Sequence, residues 1–103
     1  MYKLCFFVPK DSLASVKKAV FETGAGEIGA YQNCCWQILG EGQFRPSESA
    51  QPFIGEVGEL ETVEEYKVEM VCAQHLIKAA VAALKKAHPY EEPAYDVIRL
   101  EEF

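Results

Sequence analysis

Basic side chains are scarce in this sequence of 103 residues. Lys and Arg number 10 against 16 Asp and Glu, a formal charge of −6. Between Glu41 and Glu69 only Arg45 and Lys67 oppose the acids. Holding a nucleic-acid backbone requires Lys and Arg to neutralise phosphates, and docking on an anionic membrane requires the same. Neither nucleic acid nor membrane is therefore an expected partner. Long apolar runs are absent too: nothing approaches the roughly 18–20 apolar residues of a membrane span. The apolar start, Tyr2 to Val8, gives way at once to Pro9-Lys10-Asp11, which is too short for a signal core with a cleavage site. A cytoplasmic location is expected.

There is no Cys-x-x-Cys pair. Cys34 and Cys35 are adjacent in an expected strand, so their side chains point to opposite faces and do not easily chelate one metal. Together with Cys5 and Cys72 they read as buried, reduced core thiols, with a metal or redox role as the alternative. Histidine is nearly missing. His75 and His88 would lie on roughly opposite faces of one continuous helix, and no Ser or Cys has a His beside it in sequence.

The length fits one domain over residues 1–103, large enough for one core but with little margin, so self-association would add useful stability. Tyr2 to Val8 reads as a strand apolar on both faces: Tyr2, Leu4, Phe6 and Val8 on one, Cys5 and Phe7 on the other. A helix follows, with Asp11 or Ser12 as N-cap, a stripe of Leu13, Val16, Ala19 and Val20, and Gly24 as its stop. Gly24-Ala25-Gly26 is no phosphate cradle, because it follows a helix instead of preceding one. Tyr31 to Leu39 is the second strand. Thr62 to Cys72 is the third, with Tyr66, Val68, Met70 and Cys72 alternating with Glu65, Lys67 and Glu69. Gln74 to Lys86 carries a second helical stripe, Ile77, Ala80, Val81 and Leu84, and stops at Pro89. Tyr95 to Leu100 is the last strand.

This order is an α+β, ferredoxin-like β-α-β-β-α-β sandwich: an antiparallel sheet with two helices on one face. The first strand is central in such a sheet, so its second apolar face needs cover. Other copies of the chain or the long loop could supply it.

Two segments draw attention. Gly40 to Gly58 far exceeds the usual hairpin loop, and irregular loops beyond about 12–15 residues tend to be functional or disordered. Phe44, Phe53, Ile54 and Val57 anchor it, Pro46 helps fix its turns, and Arg45 stands alone among carboxylates. Arg45 reads as a structural ion pair or as a contact to an anionic ligand or partner. The stretch His88-Pro89-Tyr90-Glu91-Glu92-Pro93-Ala94-Tyr95-Asp96 gathers an imidazole, two phenols and three carboxylates. It reads as a structural or interface turn, as a metal or ligand site with His88 and Glu91 as ligands, or as an acid–base set.

Four stretches carry a family resemblance: Gly24-Ala25-Gly26-Glu27-Ile28-Gly29-Ala30-Tyr31, Gly42-Gln43-Phe44-Arg45-Pro46, Pro52-Phe53-Ile54-Gly55 and the His88–Asp96 segment. Together they resemble the YqfO-type domain found inserted in bacterial Nif3-like proteins and also as a short stand-alone protein. His88-Pro89-Tyr90-Glu91 is similar to a turn of the CutA divalent-ion tolerance proteins. The resemblance implies a PII/CutA-like fold and a trimer formed through open sheet faces. It places the dinuclear metal site of the larger proteins on flanking domains that have no counterpart in these residues. The loop occupies the slot of the PII signalling loop but lacks the basic residues that grip nucleotide phosphates.

The expectation is a non-catalytic, oligomeric PII/CutA-like regulatory or protein-interaction module, a trimer by preference, with room for an unidentified protein partner. Its ligand or interface candidates are Phe44, Arg45, Pro46, His88, Pro89, Tyr90, Glu91, Glu92 and Tyr95. A divalent-metal-binding protein taking Zn or Cu is the alternative, and a stand-alone metal-dependent hydrolase the third reading.

Overall fold

The alternation of Leu4, Phe6 and Val8 along β1 (Tyr2–Pro9) places all three on one side of the strand, and all three are fully buried. The computed structural model, which describes residues 1–103, continues with α1 (Leu13–Phe21), β2 (Trp36–Phe44), β3 (Glu61–Cys72), α2 (Ile77–Ala87) and β4 (Tyr95–Arg99). The sheet is antiparallel throughout, in the order β2-β3-β1-β4, so β1 and β3 are central. Register sets Leu4 opposite Met70 and Phe6 opposite Val68. These side chains join Val16 and Val20 of α1 and Ala80 and Leu84 of α2 in one core. Fully burying each large aliphatic or aromatic group contributes about 1.5–3 kcal/mol.

Neither helix receives a side-chain N-cap. Asp11 and Ser12, expected to cap, lie instead in a short 3-10 turn (Lys10–Ser12) that leads into α1 from Pro9. A second such turn (Gln74–Leu76) opens α2, and Pro89 follows its end as expected. Gly24 closes the α1 segment with φ 98°, in the left-handed region. Gly26, at φ 84°, is tied on both sides: its N–H donates to Val71 O and its carbonyl accepts from Cys34 N–H, each at 2.8 Å. A Cβ there would lie 2.7 Å from the Phe21 ring and 2.9 Å from Cys34 O. Gly26→Ala is therefore expected to cost about 2 kcal/mol or more, read from urea unfolding midpoints.

The second strand departs from expectation at both ends. Residues 31–35 are irregular: Ile28 and Tyr31 exchange backbone hydrogen bonds across a tight turn, and Gly29 and Asn33 both have positive φ. Cys34 and Cys35 are thus not strand neighbours; they sit half-buried just before β2. At the other end β2 runs on to Phe44, through Gly40 and Gly42, which pair with Glu65 and Val63. Pairing with β1 ends at Pro9 opposite Glu65, so the β2–β3 hairpin projects past the rest of the sheet. That projection contributes to the elongated 46 × 24 × 24 Å shape. No helix is long and apolar enough to cross a membrane.

The helix-free face also differs in detail. Register places Lys3, Cys5 and Phe7 there, with Trp36 and Ile38 of β2, Lys67 and Glu69 of β3, and Asp96 and Ile98 of β4. Cys5 is already buried within the single chain, flanked in register by Glu69 and Asp96, and burial pushes its thiol pKa up. The exposed apolar side chains come from the two edge strands: Trp36, Ile38 and Ile98 are each more than half exposed.

Candidate functional site

Phe7 organises the site through its backbone. Its carbonyl accepts a hydrogen bond from His88 Nε2 at 2.7 Å, and its N–H donates to Ala94 O at 3.3 Å. The two ends of the turn 88–94 are thereby pinned to one residue of the central strand. His88 is buried, and its Nδ1 accepts from Tyr90 N–H at 3.1 Å. Because Tyr90 N–H can only donate, Nδ1 is the acceptor and the ring proton lies on Nε2. Burial lowers the His88 pKa below 6.5, although the Phe7 carbonyl and Glu65 pull the other way.

Tyr90 stands over the imidazole, ring centroids 4.8 Å apart. Its hydroxyl donates to Glu65 Oε2 at 3.3 Å. Burial first, then the Glu65 charge and this bond, push the phenol up to about 12. Glu65 reaches Tyr90 by lying across Gly42, where a Cβ would overlap its carboxylate. A strand glycine often marks such a close approach. Glu65→Gln is expected to bring the Tyr90 pKa down from about 12 without returning it to 10, since burial, the first cause, persists. NMR titration of ring-labelled tyrosine reads the change.

The irregular connection, reduced by the longer β2 to residues 45–60, folds back onto this turn. Gly58 N–H closes its base on Pro46 O at 2.8 Å, and Pro46 is buried. Gln51 N–H donates to Glu91 Oε1 at 3.0 Å, clipping loop to turn. Between them lies a cleft of about 240 Å³ whose walls include Phe7, Phe44, Pro46, Pro52, Phe53, Ile54, Glu65, Tyr90, Glu91 and Glu92. Two segments singled out separately in sequence thus form one site.

Curated relatives match nearly the whole chain in sequence. The chain is 45% identical over 98 residues to the GTP cyclohydrolase 1 type 2 homolog of Mycobacterium leprae and 46% identical over 100 residues to that of Bacillus subtilis. These matches cover 95% and 97% of the chain. A solved structure of a Bacillus cereus protein related to NIF3 superposes with a TM-score of 0.84 at 39% identity over 98% of the chain. The chain is homologous to the inserted domain of the Nif3-like GTP cyclohydrolase 1 type 2 homologs. It spans about a quarter of their length, 26% and 27% in the two curated cases. No family model matches. CutA from Xylella fastidiosa superposes at TM-score 0.70 with 19% identity, covering 99% of this chain and 85% of that one, which shows the shared CutA-like fold.

The remaining candidates fall outside the cleft. Arg45 is exposed and forms no ion pair; the one ion pair joins the Met1 amino group to Glu102 at 3.9 Å. The structural reading of Arg45 therefore fails. Tyr95 lies on the helix-facing side opposite Phe6, with Lys85 Nζ 5.4 Å from its ring centre. Pro89 is half-buried beside His88. The expected metal ligands do not fit a metal: His88 has both ring nitrogens bonded to backbone, Glu91 holds Gln51, and no three His, Cys, Asp or Glu side chains converge. His75 is exposed at the far end of α2 from His88. The sequence reading missed Phe7 and Glu65 as site residues. Gly42 was the available signal for Glu65.

Proposed function

We propose that this chain is a non-catalytic, oligomeric regulatory or protein-interaction module of PII/CutA-like fold, whose copies cover one another's open sheet faces. The observation that carries the reading is that face: Trp36, Ile38 and Ile98 stand exposed on it, on either side of Lys3, Lys67, Glu69 and Asp96. Monomers rarely expose a broad apolar patch. A threefold assembly is the form implied by the likeness to PII and CutA proteins. The loop–turn cleft is the contact site of the module. The metal-binding and hydrolytic readings both run through His88, whose nitrogens are already engaged.

The double variant Ile38→Glu, Ile98→Glu tests the face. Register sets the new carboxylates opposite Lys67 and Lys3, so the single chain gains cross-strand pairs while the apolar patch becomes charged. The expected outcome is dissociation to folded monomers, with unchanged far-UV circular dichroism. An assembly of unaltered size would place the contact elsewhere and overturn the reading.

A further inference from the structure

The cleft between the loop 45–60 and the turn 88–94 has a chemistry that neither the fold nor the assembly requires. The Tyr90 ring centre lies 6.1 Å from that of Phe44 and 6.5 Å from that of Phe53, with the rings tilted at 54° and 48°. Aromatic faces carry the negative part of the ring quadrupole. Glu65, Glu91 and Glu92 line the same walls, and no Lys, Arg or His does. None of the three is in an ion pair. Glu65 accepts only from the Tyr90 hydroxyl and Glu91 only from Gln51 N–H. These bonds fix two carboxylates in position and leave their charge uncompensated.

A cleft meant only to seat the loop would be lined by aliphatic groups, since carboxylates beside apolar walls are costly to desolvate. Phosphates and other anions are repelled by such walls. A compact metal ion finds no convergent donor set. A diffuse organic cation meets every feature: its apolar substituents lie against Phe53 and Phe44, its positive charge faces the rings, and the carboxylates balance it. The volume of about 240 Å³ suits a small molecule.

We propose that this cleft binds a small organic cation, an ammonium or guanidinium with apolar substituents, held by Phe44, Phe53 and Tyr90 and balanced by Glu65, Glu91 and Glu92. This rests on reading the cleft as the contact site of a non-catalytic module, and not on the oligomeric state. Tyr90 supports it by remaining a protonated donor to Glu65 far above neutral pH, its pKa being about 12.

The test is an NMR titration of the full chain with tetramethylammonium and with tert-butanol, a neutral molecule of similar shape. Saturable shifts at Phe53, Glu65 and Tyr90 are expected with the cation, and binding about tenfold weaker or worse with the alcohol. Glu65→Gln is expected to weaken cation binding about tenfold. Glu92→Gln and Phe53→Leu, both at exposed positions, provide the same test should the Glu65 variant unfold. Equal affinity for the two probes, shifts away from the cleft, or no saturation below about 100 mM overturns the proposal. Light scattering on the same samples separates the claims: a monomer that binds the cation overturns only the assembly, and an oligomer indifferent to it overturns only this inference.

Discussion

Replacing His88 by leucine is expected to remove about 2–4 kcal/mol of stability, because it strands two part-buried backbone groups at once. The Phe7 carbonyl loses its 2.7 Å donor and Tyr90 N–H loses its 3.1 Å acceptor, and an aliphatic side chain replaces neither. His88 is only 6% exposed, so water does not readily take its place. For a domain of this size the loss corresponds to roughly 4–8 °C in Tm per kcal/mol. The same residue sets a pH dependence. Folding holds the imidazole neutral, with its pKa below 6.5, while the unfolded chain titrates near 6.5. The unfolded state therefore binds more protons in that window, and stability falls with falling pH. The His88 contribution is complete above pH 6.5, declines as pH drops through the folded value, and is flat below it. Urea unfolding at several pH values is expected to show this slope in the wild type and its loss in His88→Leu.

Phe6→Ala and Phe7→Ala are expected to differ sharply although the residues are neighbours. Phe6 is fully buried among Leu4, Val68 and the two helices, and its removal leaves a cavity costing about 3–5 kcal/mol. Against a typical total of about 5–15 kcal/mol, that change leaves the fold marginal. Phe7 points to the other face, is only half-buried, and lines the cleft. Phe7→Ala is expected to cost no more than about 2 kcal/mol, since its backbone bonds to His88 and Ala94 survive. Its main effect falls on the cleft: binding of an organic cation weakens while the fold persists. Denaturant unfolding of both variants checks the contrast. Equal losses would mean that the two faces of β1 are packed alike.

The elements readable in sequence are those whose periodicity matches one buried face. Tyr66, Val68, Met70 and Cys72 alternate because β3 packs one side on the helices, and the stripe ending at Leu84 marks α2 for the same reason. Gly40 and Gly42 hid the second half of β2, since a glycine carries no pattern. At Gly42 the missing side chain makes room for Glu65. Cys34 and Cys35 looked like strand residues by composition, yet positive φ at Gly29 and Asn33 bends the chain away. The two halves of the cleft were each visible as unusual segments. Their meeting was not, because it depends on contacts such as Gln51 to Glu91 and His88 to Phe7, which are remote along the chain.

The open face of the sheet is where the proposed function stands or falls. Size-exclusion chromatography with in-line light scattering, on the wild-type chain at micromolar concentration, measures it most directly. The expected mass is about three times the 11.5 kDa of one chain. A single symmetric peak at the mass of one chain would contradict the account.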